Sequence, residues 1–219
     1  GTPLLSELMY MVFTNADITA AKKTLHGVRV RFMEHTRPGF DPIEKLKAME
    51  PPRLLKSHLP ATFFRSQLAI PEVKVVVMIR DPRDVLVSFY KFYTADSGYV
   101  KFPGDWSDFF SQFKAKKLMG GDWFEHTKSW LEKRDQANVM IMFYEDVITQ
   151  PEVFLRRVAE FCSRSLTDLE FRRAAEYLKN EVEEESTVGA WKEYFSAEQD
   201  QYFTELYKQE IAEGVLPYS

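Results

Sequence analysis

The stretch from Arg53 to Pro60, RLLKSHLP, carries two side chains suited to moving a proton and holding charge. Leu54-Leu55 reads as a short buried strand, and Pro60 ends it. In an extended chain Lys56 and His58 are two apart, so both project to the same side. Histidine exchanges a proton near neutral pH, and an ammonium beside it stabilises developing negative charge. The pair therefore reads as a general base with a neighbouring cation, against the alternative of a structural or surface histidine. The stretch from Lys74 to Tyr93, KVVVMIRDPRDVLVSFYKFY, offers different chemistry. Val75 to Ile79 has the apolar, β-branched character of a strand buried on both faces, and Arg80 stands where it ends. Asp81, Pro82 and Asp84 then read as a helix cap, a first helical residue and a first-turn acid. Ser88 falls seven residues beyond Asp81, about two turns along the same face. A cation at a strand's carboxyl end, just before a helix amino end, suits a phosphate. The alternative is a satisfied cap, with Arg80 paired to Asp81 or Asp84. Gly1-Thr2 stands before a helical pattern of Leu4, Leu5, Leu8, Met9 and Val12, with Thr2 as cap and Pro3 as opening residue. Gly-Thr before a helix is half of a strand–loop–helix anion site, or simply a capped helix.

The elements that must position these residues follow from the rest of the chain. Its 219 residues allow one substantial core or at most two small domains, and 45% apolar with 15% aromatic content marks it as globular. A formal charge of −4 argues against non-specific nucleic-acid binding. The single cysteine, Cys162, cannot form an internal disulfide. No apolar run reaches membrane-span length and the start does not read as a signal peptide, so a cytoplasmic protein is expected. Along the chain, 16–24 reads as a short helix. His26 to Glu34 reads as extended, with Val28, Val30 and Phe32 on one face. Asp41 caps a helix over Pro42 to Glu50, which Pro51-Pro52 stops. Helices are expected over 61–70, Asp81 to Tyr93 and Trp106 to Lys114. Asp122 caps another in which Trp123, His126 and Trp130 share a side. Asn138 to Phe143 is a second buried strand, with Tyr144 at its carboxyl end. Pro151 to Cys162 is amphipathic, with Phe154, Leu155, Val158 and Phe161 inward. A helix from Leu166 to Asn180 precedes Glu181 to Glu185, four acids in five residues, of the kind that marks a solvated, mobile segment. Ser196 and Gln199 form a capping box for the last helix, which is expected to reach Ala212. Strands at 54–57, 74–79 and 138–143, separated by helices, predict an α/β fold in a single domain, with a central parallel sheet flanked by helices. Sites in such sheets lie outside the carboxyl ends of the strands, where Lys56, His58, Arg80 and Tyr144 all stand. The four histidines are scattered and suggest no metal site.

These residues also match a family. Lys56-Ser-His-Leu-Pro60 resembles the KTHLP motif of cytosolic sulfotransferases. Arg80 to Tyr90, with serine eight after arginine, resembles their 3′-phosphate site, and Phe143-Tyr-Glu-Asp146 their FYED segment. Gly121-Asp-Trp123 with His126 and Trp130, and Gly189-Ala-Trp-Lys192, match in type and order, and Gly1-Thr2 resembles the tail of the PKSGTTW loop. The resemblance covers nearly the whole chain and implies the kinase-like sulfotransferase fold over 1–219. It implies transfer of the sulfuryl group of PAPS, 3′-phosphoadenylyl sulfate, to a hydroxyl or amine, leaving PAP, with no metal. In that pattern His58 removes the acceptor's proton and Lys56 stabilises charge on the sulfuryl group. Arg80 and Ser88 hold the 3′-phosphate, Tyr144 sits by the adenine, and Gly1 and Thr2 hold the 5′ side. Phe32, Phe92 and His126 line the pocket of a small aromatic or steroid-like acceptor.

The chain also departs from the pattern. The loop lysine that precedes the Gly-Thr pair is absent, and the family's tryptophan aligns with Leu4. The family's Arg-Lys-Gly aligns with Glu184-Glu185-Ser186, and the spacing from Asn180 to Gly189 is short. The sequence is therefore expected to lack the amino-terminal part of the phosphosulfate loop and a loop before Gly189, either by deletion in the protein or by an incomplete sequence. The family's dimer motif is degenerate here, as Lys192, Ser196-Ala197 and Gln201, so a homodimer is only weakly supported. Neither nucleic acid nor membrane is expected as a partner. A catalytically inactive relative that binds PAP, nucleotide or small ligands stays open. A nucleotide kinase ranks last, because no GxxxxGK loop is present.

Overall fold

The computed structural model describes residues 1–23, 29–34, 42–95, 102–118, 120–181 and 188–218. In chain order the elements begin with α1 (Thr2–Phe13), α2 (Ile18–Lys23), β1 (Arg31–Phe32), α3 (Pro42–Lys47) and β2 (Leu55–Lys56). A 3₁₀ turn at Ala61–Phe64 leads into α4 (Arg65–Leu68), β3 (Val75–Ile79), α5 (Pro82–Thr94), α6 (Trp106–Lys114) and α7 (Trp123–Leu131). Then follow β4 (Val139–Phe143), α8 (Tyr144–Thr149), α9 (Pro151–Phe161), α10 (Asp168–Glu181), a 3₁₀ turn at Ala190–Glu193 and α11 (Ala197–Glu210). The described strands form two two-stranded sheets, β1 with β2 and β3 with β4. The expected α/β class is borne out. The residues fall into two compact units, one of Gly1–His58, Glu72–Met78 and Met142–Val182, the other of Leu59–Pro71, Ile79–Ile141 and Glu183–Ser219.

In the first unit α1 turns Leu4, Leu8, Met11 and Val12 inward, one stripe at helical spacing, and packs on α9 and α10. Phe154, Leu155 and Val158 of α9 are buried as expected. Phe161 is only half-buried, and the Lys74 ammonium lies 5.3 Å from the centroid of its ring. Glu7 is buried on α1 and pairs with the Arg29 guanidinium at 2.7 Å, while the Tyr177 hydroxyl donates to it at 3.0 Å. A carboxylate this deep is tolerated because it is fully paired.

The pairing of β1 with β2 is parallel, with Arg31 opposite Leu55 and Phe32 opposite Lys56. Leu55 is 38% exposed, so the expected buried strand is not found there. Alternation explains this: Lys56 turns toward Phe32, which sends its neighbour Leu55 outward. The extended stretch expected from His26 is also shorter. Arg29 is helical, the strand covers only Arg31–Phe32, and Val28 lies outside the described residues. The helix expected to reach Glu50 stops at Lys47, and its expected cap, Asp41, lies outside the described residues, as does most of the acidic run after Glu181.

The second unit has an aromatic core. Trp106 and Phe109 on α6 meet Tyr90 and Tyr93 of α5, Phe195 packs against Trp106 and Phe110, and Phe203 packs against Phe195 and Phe113. Such tilted and edge-on pairs contribute beyond their buried area. Helix α6 has the expected bounds, closed at its start by an Asp105–Asp108 capping box. The Ser196–Gln199 box opens α11 as expected, although the helix ends at Glu210 and not at Ala212. On α7 the expectation that Trp123, His126 and Trp130 share the inner side fails in part. Asp122 caps the helix as expected, but Phe124, Thr127 and Trp130 are the buried residues. Trp123 instead packs edge-on against Phe124, with ring centroids 5.1 Å apart.

Candidate active site

In the first unit the start of α1 meets the end of β2. Thr2 was expected to cap α1, yet it is the first helical residue, Gly1 takes the cap position, and no side chain caps the end. The Thr2 hydroxyl lies instead 2.7 Å from Nε2 of His58. The end of a 12-residue helix with open N–H groups thus stands beside an imidazole.

His58 rests on Phe32, with ring centroids 5.0 Å apart at 55°. The Lys56 ammonium lies 5.7 Å from the same ring. Phe32 therefore joins the two side chains that alternation placed on one side of the strand. Desolvation against its neighbours pushes the His58 pKa below its ordinary value, although the residue keeps an exposed edge; Lys56 pushes the same way, and Glu34 opposes it. The imidazole is thus neutral at physiological pH, the form that accepts a proton. Burial also lowers the Lys56 pKa, offset in part by the Glu7 carboxylate. The His58 backbone N–H donates to Glu34 Oε1 at 2.9 Å, and the Ser57 hydroxyl donates to the same oxygen.

Gly1 is set tightly. A Cβ there would meet Met78 Sδ at 3.1 Å and the Tyr144 ring at 3.4 Å. Tyr144 opens α8 and is 2% exposed. Its ring lies against the Gly1 backbone.

In the second unit Arg80 leads from β3 into α5 and is buried, with Nη2 3.9 Å from Asp84 Oδ2. Asp81 caps α5 by accepting from the Arg83 N–H at 2.9 Å. It also holds the Arg83 guanidinium at 2.8 Å, and Arg83 reaches Asp200 at 3.2 Å and covers the Trp191 ring at 4.0 Å. Burial opposes the Arg83 charge, but the two carboxylates outweigh it and raise its pKa. The alternative pairing of Arg80 is thus realised with Asp84, at long range. Asp84 is itself engaged elsewhere: it accepts from the N–H groups of Gly189 at 2.8 Å and Trp191 at 3.0 Å. Ser88 does not share the burial of Asp81; it is exposed on α5, as is Phe92, and His126 is half-buried on α7.

The structure therefore brings Gly1, Thr2, Phe32, Lys56, His58 and Tyr144 together in one unit, and places Arg80, Ser88, Phe92 and His126 in the other. Sequence reading missed Glu34 and the tether made by Asp84. The signal for Glu34 was present, since it lies two residues past Phe32 and so shares its face. Asp84 gave no such signal, because its partners are more than 100 residues away. Among the described residues no group of three His, Cys, Asp or Glu side chains is placed to hold a metal ion, and no helix is long and apolar enough to cross a membrane.

The family model described as Sulfotransferase domain matches residues 1–214. The chain belongs to the sulfotransferase family. It is 30% identical to Sulfotransferase 1 family member D1 of Mus musculus over 219 residues, which is all of this chain and 70% of that protein. It is 29% identical to Sulfotransferase 1A1 of Mus musculus, over 94% of this chain and 79% of that one. Its fold is similar to that of retinol dehydratase solved with androsterone and the inactive cofactor PAP, with a TM-score of 0.84 at 21% identity over all of this chain and 79% of that one. It is also similar to mouse sulfotransferase SULT7A1 solved with PAP, with a TM-score of 0.75 at 22% identity over 84% of this chain and 75% of that one. The resemblance read from KSHLP and FYED thus holds for the family, and the α/β sulfotransferase fold holds with it.

Proposed function

We propose that the chain moves the sulfuryl group of PAPS to a hydroxyl or amine of a small, aromatic or steroid-like acceptor, with His58 as general base. The observation that carries this reading is the placing of His58 Nε2 against the Thr2 hydroxyl, at the open end of α1. A neutral imidazole, an ammonium and the positive end of a helix are what an in-line transfer between oxygens needs. His58 takes the acceptor's proton as its oxygen bonds to sulfur. The bond from sulfur to the phosphate oxygen breaks, and PAP leaves with the electron pair. Lys56 offsets charge on the transferring group, and Phe32 gives the acceptor an apolar wall.

The residues fit the donor in charge and type. Gly1 and Thr2 supply a helix start for the 5′ phosphosulfate side. Arg80 supplies a buried cation and Ser88 an exposed hydroxyl for a 3′-phosphate. Tyr144 sits by the adenine. Phe92 and His126 are assigned to the acceptor pocket on the family pattern, and 1–219 is read as one sulfotransferase domain acting in the cytoplasm. The test is sulfuryl transfer from PAPS to a panel of phenols, steroids, alcohols and amines. Transfer to at least one acceptor, lost in His58→Ala, is expected. PAP binding with no transfer to any acceptor would refute the catalytic reading and leave a nucleotide-binding relative.

A further inference from the structure

The ladder between β1 and β2 ends with the Met33 N–H donating to the Lys56 carbonyl at 3.0 Å. Beyond it the backbone of Ser57 and His58 needs another anchor. Glu34 provides one: Oε1 accepts both the His58 N–H, at 2.9 Å, and the Ser57 hydroxyl. Its other oxygen, Oε2, is buried and has no hydrogen-bond partner among the described residues. A side chain thus replaces the missing rung of the sheet, and the residue it fixes is the imidazole that touches Thr2.

We propose that Glu34 is a positioning residue for His58, holding its backbone in register and standing as the countercharge to the proton it takes up. This rests on His58 being the base. Fixing the backbone N–H leaves the imidazole little freedom, since Phe32 closes one ring face and Thr2 holds Nε2. Charged side chains bear on the ring: Glu34 favours its charged form and Lys56 disfavours it, while the Thr2 hydroxyl is neutral. The Glu34 carboxylate thus favours the charged ring and offsets part of the cost of an imidazolium beside Lys56.

The test uses Glu34→Gln, Glu34→Ala, Glu34→Asp and Ser57→Ala in the intact protein. The His58 titration is followed by NMR, its resonance assigned by its loss in His58→Gln. In Glu34→Gln an amide oxygen still accepts the N–H, so the fold is kept while the charge is gone. The His58 midpoint should fall by up to about one pH unit. The acid limb of kcat/KM should move with it, and turnover should fall several-fold with KM for PAPS unchanged. Glu34→Ala should lose turnover about tenfold or more, as removing a group that orients a reacting side chain does at other sites, and Glu34→Asp should restore part of it. Ser57→Ala should leave the midpoint in place. An unchanged midpoint in Glu34→Gln would overturn the proposal, whether or not turnover falls. A wild-type protein with no transfer would overturn the catalytic reading alone, because the titration would still decide whether Glu34 charges His58.

Discussion

Replacing Asp84 by alanine tests how the second unit holds its carboxyl-terminal segment to α5. The carboxylate accepts from the Gly189 and Trp191 N–H groups at 2.8 and 3.0 Å, and its Oδ2 lies 3.9 Å from the buried Arg80 guanidinium. Both N–H bonds are charge-assisted, but the turn that donates them is part-exposed, so water recovers some of their loss. Each is then valued toward the lower end of such bonds, and a buried cation loses its carboxylate as well, which together cost about 2–4 kcal/mol. For a chain of this size that lowers the melting temperature by roughly 5–15 °C. Asp84→Asn keeps one accepting oxygen but turns an amide toward the other donor, and should lie between wild type and Asp84→Ala. Circular dichroism melts and urea unfolding of the three proteins measure the series. A melting temperature for Asp84→Ala within about 2 °C of wild type would refute the tether, since that corresponds to at most about 1 kcal/mol. Equal values for the two variants would refute the separate contribution of each N–H bond.

The pH profile checks the state of His58. Its folded pKa lies below the ordinary value near 6.5, so kcat/KM should stay level as pH falls to about 6.5 and decline only below it. The same depression means that the unfolded chain takes up this proton first, so the contribution of His58 to stability is lost as pH falls from about 6.5 toward the folded value. An acid limb above the ordinary histidine range would contradict the burial argument. His58→Ala should nearly abolish transfer while PAP affinity, measured by calorimetry, stays within about twofold, as a group acting only in the chemical step requires. Arg80→Ala should weaken PAP by roughly tenfold or more and leave adenosine 5′-phosphate nearly unaffected, because a charge-assisted bond of about 1.5–3 kcal/mol is lost only where the 3′-phosphate exists. Leu8→Ala, at a side chain with no exposed surface, should cost about 2–5 kcal/mol in urea unfolding without changing the Km for either substrate.

What could be read from the sequence was largely what is local. The α6 bounds, the Asp81–Pro82 start of α5 and the Ser196–Gln199 box rest on residues within one turn of each other, and all three were legible. The placing of Lys56 and His58 on the Phe32 side followed from alternation alone. The rest depended on partners far along the chain. Thr2 reads as a cap until His58, 56 residues away, takes its hydroxyl. Tyr144 reads as a residue at a strand end, and nothing local shows that its ring lies against Gly1. Phe161 reads as core because the helical period puts it there, and only Lys74 shows that it lies at the margin. Asp84 reads as a first-turn acid, a role that hides its hold on Gly189 and Trp191.

The division into two units has a spectroscopic consequence. All four tryptophans, Trp106, Trp123, Trp130 and Trp191, belong to the second unit, while the first unit has none. Indole emission therefore watches the aromatic core around α6 and is blind to the packing of α1 on α9 and α10. Far-ultraviolet circular dichroism sees the helices of both. One denaturation series followed by the two signals reports, without any substitution, whether the half that carries His58 gives way at the same denaturant concentration as the half that carries Arg80.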